Sequence, residues 1–176
     1  MLFRSIDFSE KQSWLIEMSD YPNLIISQTL SKAYGMAGIR LGILYASQEI
    51  IAILNKIKPP YNVNVLTQEK ALERLENYDL IVKQIKDIKS SKYILINELK
   101  KINYIKKVFQ TDGNFILIKV DNATKRYNQI LEKGIVLRNR TTQPLCENCL
   151  RITIGTTEEN TQLINRSEER RVGKEC

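Results

Sequence analysis

Apolar residues fall along this chain in two patterns, short unbroken runs and longer stretches with helical spacing, and their order predicts the elements. "NLIISQT" at residues 23–29 and "RLGILYAS" at 40–47 are short apolar runs that read as buried strands. Between them Ser31, Gly35 and Gly38 suit a tight turn with room for one helical turn. From Ser47 the spacing of Ile50, Ile51, Ile53, Leu54 and Ile57, stopped by Pro59 and Pro60, predicts a helix of about three turns. Residues 63–102 set Leu72, Leu75, Val82, Ile85, Ile88, Leu95, Leu99 and Ile102 three, four and seven apart. That pattern predicts one long amphipathic helix, or two joined near Asn77 or Ser90–Ser91, and its interruptions weigh against a coiled coil. "NFILIKV" at 114–120 follows the turn signal "TDG" and reads as a strand, and residues 122–134 read as a helix running from an Asn122 cap to Gly134. "IVLRNR" and "CLRITIG" predict two more strands around a loop containing Pro144, and "TEENTQLI" opens a last helix. The final third is therefore expected to be an α+β layer with helices on one face of a small sheet.

Composition narrows the chemistry. At 176 residues and 43% hydrophobic content, the chain can build one ordinary domain, or one small domain plus part of another. No apolar run reaches the length of a membrane span and the start lacks a secretory layout, so a soluble, cytoplasmic protein without membrane partners is expected. Histidine is absent, which excludes Ser-His-Asp and Cys-His nucleophiles and histidine metal sites and leaves Lys, Arg, Tyr, Asp and Glu. Three cysteines, Cys146, Cys149 and Cys176, make no disulfide framework, and the "CENC" pair lacks the second pair of ligands that zinc needs. Both read as loop residues, with no metal expected. The net charge of +7 is carried largely by lysines at helical spacing between residues 83 and 107, a solvated helix face and not a groove that tracks phosphates, so nucleic acid is not an expected partner. Residues 1–5 and 166–176 resemble translated sequencing-adapter DNA and are set aside from fold reasoning, with the natural chain expected to continue past both.

One stretch asks for a chemical explanation. "SQTLSKAYGMAGIRLG" holds Lys32 among Thr29, Ser31 and two glycines, with Arg40 eight residues on. A lysine that forms an imine with an aldehyde cofactor needs, where that cofactor carries a phosphate, hydroxyls, free backbone N–H groups and a permanently charged guanidinium close by. All of these fall within twelve residues. A second reading stands beside it, in which Ser31 caps a helix, Lys32 is solvated and Arg40 leads a strand. A Walker phosphate loop is absent.

"TLSKAYGMAG" followed by Arg40 resembles the cofactor-lysine signature of the class II pyridoxal-phosphate aminotransferases. The segments "IDFSEKQSWLIEMSDYPNLIISQTLSKAYGMAGIRLG", "KPPYNVN", "NFILIKV" and "GIVLRNRTTQPLCENCLRITIGT" resemble, in order and spacing, the histidinol-phosphate aminotransferase family across residues 6–165. The resemblance implies that Lys32 is catalytic, holding pyridoxal 5'-phosphate through an imine and moving a proton between the substrate Cα and the cofactor C4′. It implies that Thr29, Ser31 and Arg40 hold the cofactor phosphate and that Arg138 and Arg151 bind the anionic end of the substrate. Small-molecule substrates, histidinol phosphate and glutamate, and a homodimer are implied with them.

The fold implied is α/β: residues 6–62 as the C-terminal remnant of the large cofactor-binding domain of a fold type I aminotransferase, and residues 63–165 as a long helix and the small α+β domain. The two strands around Lys32 are expected in the middle of a parallel sheet. In the family an Asp-Glu-Ala-Tyr strand supplies the carboxylate for the pyridine nitrogen, and this chain starts just past it. Asp7 follows that position and is not its substitute, so the chain is expected to be inactive by itself. Another class II enzyme, an aromatic aminotransferase or a phosphothreonine decarboxylase, and a helical interaction module built on residues 63–102 are the alternatives.

Overall fold

A computed structural model describes residues 6–167, so the two adapter-like ends lie outside it except for Arg166 and Ser167, which complete the last helix. The chain forms two compact units that divide between Lys86 and Asp87.

The first unit opens with single 3₁₀ turns at Ile6–Phe8 and Trp14–Glu17, followed by β1 (Ile26–Thr29) and β2 (Gly42–Tyr45). These strands pair with each other antiparallel, with Ile26 opposite Tyr45 and Thr29 opposite Gly42, and so differ from the parallel neighbours expected. A twelve-residue link with a single 3₁₀ turn at Ala37–Ile39 can reverse the chain, whereas a parallel pair would need a crossover with a helix of its own. A Cβ at Gly42 would crowd the Gln28 carbonyl oxygen at 3.2 Å, so a larger residue there would press on the pairing of β1 with β2. Helix α1 (Gln48–Ile57) stops at Lys58, whose extended backbone is what a residue before proline adopts.

Of the two joints considered for the long helical stretch, the chain uses the first. Helix α2 (Val65–Glu76) is capped by the Asn64 side chain, which accepts from the Thr67 N–H at 2.8 Å. It ends at Asn77, whose carbonyl starts α3 (Tyr78–Leu99) by accepting from Leu80 and Ile81. Asn77 suits both jobs, since its side-chain amide also donates to the Glu73 carbonyl at 3.0 Å and satisfies an orphan acceptor.

The second unit is built on a four-stranded antiparallel sheet in the order β3 (Ile105–Val108), β4 (Phe115–Val120), β6 (Cys149–Thr153), β5 (Arg138–Asn139). Alternation gives the sheet two unlike faces. Ile116, Ile118, Val120, Leu150 and Ile152 point to one side, each 2% exposed or less, and pack with Leu95 and Leu99 of α3, Ile130 of α4 (Ala123–Glu132) and Leu163 of α5 (Thr157–Ser167). Burial of each such side chain stabilises by ~1.5–3 kcal/mol. Helix α4 starts on Asn122, whose side chain accepts from Lys125 N–H, and ends at Gly134, whose φ of 78° is left-handed. Helix α5 opens with a reciprocal cap in which the Thr156 hydroxyl accepts from Glu159 N–H and the Glu159 carboxylate accepts from Thr156 N–H. Strand β3 is not foreseen by the apolar pattern: its middle is Lys106–Lys107, tolerable because it is an edge strand with an irregular register.

Among the described residues of this unit, Arg126 is a charge held inside the fold. Arg126, 5% exposed, grips Asp121 with two hydrogen bonds of 2.9 and 2.6 Å and lies over the Tyr104 ring at 4.2 Å. Hydrogen bonding from Arg126 holds the Asp121 carboxyl at about 2, below its ordinary 3.8. A depressed carboxyl stabilises the fold above its unfolded value and loses that contribution as pH falls. Because the Asp121 side chain is 35% exposed, solvent discounts the gain to ~1 kcal/mol. Urea unfolding is expected to show Asp121→Asn less stable than the parent at pH 7, with the gap closing between pH 4 and pH 2; a gap that ignores pH would contradict this assignment.

Candidate functional site

In the first unit the Lys32 turn is fixed through its backbone, which leaves its polar side chains outward. Leu30 and Ala33, 1% and 4% exposed, anchor it on either side of Lys32. Leu30 N–H donates to the Leu41 carbonyl, Met36 N–H to Leu30 and Gly35 N–H to Lys32, with Gly35 at φ 71°. Helix α2 clamps the far half: the Thr67 hydroxyl donates to the Ile39 carbonyl at 3.4 Å and Arg74 Nε to the Tyr34 carbonyl at 3.0 Å. The Lys32 side chain is exposed, and no hydrogen bond or ion pair engages it among the described residues.

The predicted partners lie around the same turn. The Thr29 hydroxyl accepts from Ser31 N–H at 3.1 Å, which leaves its own proton free to donate outward. Arg40 is exposed at the end of the 3₁₀ turn with a left-handed backbone, φ 55°, and spends a single N–H on the Ala37 carbonyl at 3.2 Å. A left-handed non-glycine residue is strained, and such strain is found where a side chain's direction matters. Two hydroxyls and a guanidinium with free donors beside an unengaged amine form a donor set that fits a phosphate-bearing aldehyde.

Asp7 has other business. Its carboxylate accepts from Gln28 Nε2 at 2.9 Å, and Gln28 Oε1 accepts from the Tyr45 hydroxyl at 3.1 Å. Burial pushes the Asp7 carboxyl up, and burial with the Asp7 charge pushes the Tyr34 phenol up. These groups line a cavity of about 380 Å³ together with Trp14 and Tyr78.

In the second unit the outer face of the sheet is cationic. Arg138 stands directly across from Arg151, and Arg140 continues the pairing through its N–H to the Cys149 carbonyl at 2.9 Å. Alternation turns Arg138, Arg140 and Arg151 to the face opposite the core, where Lys119 also lies. The Arg151 guanidinium sits 5.4 Å from the centre of the Phe115 ring. Burial, then Arg140 and then Arg138, pushes the Arg151 guanidinium down from its ordinary value. No carboxylate pairs with any of the three among the described residues. Among the described residues, the buried side-chain polar atoms without a partner are Arg151 Nε and Thr141 Oγ1, both in this region. A buried donor left unmet in an otherwise satisfied sheet calls for a partner, and an anion is one that the three guanidinium groups would accept.

Arg138 and Arg151 were expected at a site; Arg140 was not, although the alternation in "RNR" carries the signal. Cys146 sits on the loop before β6, whereas Cys149, expected in that loop, is the first residue of β6 and is buried against the sheet, its thiol pushed up by burial and the neighbouring Cys146; among the described residues no group of three or more His, Cys, Asp or Glu could hold a metal. Asn114 serves the sheet, its carbonyl accepting from Ile154 N–H at 3.1 Å.

Known proteins resemble the chain over most of its length. A histidinol-phosphate aminotransferase of Flavobacterium johnsoniae is 64% identical over 159 residues, 90% of this chain and 46% of that protein. The crystal structure of the histidinol-phosphate aminotransferase from Clostridium acetobutylicum superposes with a TM-score of 0.85 at 28% identity, covering 94% of this chain and 51% of that one. That of the Sinorhizobium meliloti enzyme, solved in complex with pyridoxal-5'-phosphate, has the same fold at a TM-score of 0.78 and 20% identity, covering 93% and 46%. The chain thus spans about half the length of the curated relatives it matches. The family model for aminotransferase class I and II matches residues 1–166, and the chain belongs to that family.

Proposed function

We propose that this chain is the C-terminal part of a pyridoxal-phosphate-dependent aminotransferase that exchanges an amino group between glutamate and imidazole-acetol phosphate, yielding 2-oxoglutarate and histidinol phosphate in histidine biosynthesis. The observation that supports the reading is the Lys32 turn, which carries an unengaged amine in one short segment with the Thr29 and Ser31 hydroxyls and the Arg40 guanidinium. The cofactor, when bound, supplies an electron sink for the bond to the α-hydrogen. Lys32 holds it through its amine and afterwards moves the proton at the substrate Cα. Thr29 and Ser31 bind the cofactor phosphate through their hydroxyls, and Arg40 binds it through the fork of its guanidinium. Arg138 and Arg151 bind the acid end of each substrate in turn, a phosphate monoester in one half-reaction and a carboxylate in the other. The full enzyme is a cytoplasmic homodimer on this reading.

The test uses the full-length enzyme, loaded with pyridoxal phosphate and glutamate, and compares amino acceptors. Imidazole-acetol phosphate is expected to exceed aromatic keto acids in kcat/KM by about 10²-fold or more, the scale at which a site built for a charged group rejects a substrate lacking it. Equal use of both would replace this reading by that of an aromatic aminotransferase, and release of carbon dioxide from phosphothreonine would replace it by that of a decarboxylase.

A further inference from the structure

We propose that Arg140 is a third anion-binding residue of this site, one that selects a dianionic phosphate monoester over a carboxylate. The inference rests on the reading of Arg138 and Arg151 as the substrate's anion site and deepens it. Three observations carry it. The first is register: Arg140 pairs opposite Cys149 as Arg138 pairs opposite Arg151, so both arginines of "RNR" project from the same face, two residues apart. The second is the missing counter-charge, for no carboxylate of the described chain answers any of the three guanidinium groups. The third is mutual repulsion: beside the shared face that the register gives them, the charge of Arg140 weighs on Arg151 more than that of the directly paired Arg138 does.

Three crowded cations are tolerable when an anion of matching charge enters. A carboxylate brings a single negative charge and two oxygens, which one or two forked arginines satisfy. A phosphate monoester near neutral pH brings close to two charges and three outer oxygens, and so has both charge and acceptors left for a third arginine. Arg140 should therefore contribute to one half-reaction and be nearly silent in the other. Its fold role is carried by the backbone N–H, so replacing the side chain leaves the strand pairing in place.

The experiment takes full-length holoenzyme, Arg140→Gln and Arg140→Lys. For Arg140→Gln the expected result is a roughly 10- to 100-fold fall in kcat/KM for imidazole-acetol phosphate, mostly through KM, with the glutamate half-reaction changed less than about 3-fold. Arg140→Lys, which keeps the charge and loses the fork, should fall between. Inorganic phosphate serves as an independent probe: its inhibition constant against glutamate is expected to rise at least about 10-fold in Arg140→Gln. Equal losses in both half-reactions, or unchanged phosphate inhibition beside unchanged kinetics, would overturn the role of Arg140. If the parent enzyme does not prefer phosphorylated acceptors, the substrate reading fails instead, and the phosphate inhibition still decides whether Arg140 binds anions.

Discussion

Replacing Lys32 by alanine in the full-length enzyme is expected to lower kcat for transamination by about 10⁴-fold, the upper range for loss of a positioned acid–base group. Reduction with borohydride should at the same time cease to fix pyridoxal phosphate to the peptide containing residue 32. Lys32→Arg should be as inactive as Lys32→Ala, because a guanidinium keeps the positive charge but offers no amine to bond or to carry a proton. Stability should hardly change. The turn is held by Leu30 and Ala33 and by the bonds that Thr67 and Arg74 donate to the carbonyls of Ile39 and Tyr34, none of which uses the Lys32 side chain. Retention of activity within tenfold, or continued labelling at the same peptide, would remove Lys32 from the centre of the mechanism.

Arg151→Ala is expected to cost about 10²- to 10³-fold in kcat/KM, the range for a charge-assisted bond removed from a partly desolvated ligand. Unlike the Arg140 variants, it should damage the glutamate and phosphate half-reactions alike, since this guanidinium presents a buried Nε with no partner of its own and lies deepest against Phe115. Arg151→Lys should recover less than about tenfold of the loss, as a point charge does not replace a planar fork. Its neighbours Leu150 and Ile152 face the core, so the alanine variant should melt close to the parent, and kinetics rather than stability should report the substitution. A variant that loses only one half-reaction would argue that Arg151 is a specificity residue and that another group anchors both substrates.

Helices α1, α4 and α5 are written locally: caps at Asn122 and Thr156 and stops at Pro59 and Gly134 need no tertiary information, and the structure keeps them. Ser47 stands at the N-cap of α1 but makes no side-chain hydrogen bond there. Strand β3 is invisible locally because an edge strand needs only its ends buried, and the doublet Lys106–Lys107 reads as a charged helix tail. The antiparallel pairing of β1 with β2 is likewise a property of which strand lies next to which, and an apolar run carries no such address. At the site, residue identities pointed to Lys32, Thr29, Ser31 and Arg40, but the clamps from Thr67 and Arg74 lie more than twenty-five residues away in sequence and give no motif. Arg140 was legible in principle: once Arg138 is placed on a strand, a period of two sends Arg140 to the same side.

The division of β6 into a packed side and a charged side has a consequence for how such an enzyme diversifies. Leu150 and Ile152 keep the strand in place, while Arg151 and Thr153 face the other way and take no part in the core. If Arg151 reads the substrate as proposed, codon changes at positions 151 and 153 can accumulate at little risk to folding, and a lineage can drift toward a new substrate anion along the same strand that keeps its architecture unchanged. On that reading, selection on what is grasped acts at Arg151 while selection on what stays folded acts on its two neighbours in the same short strand.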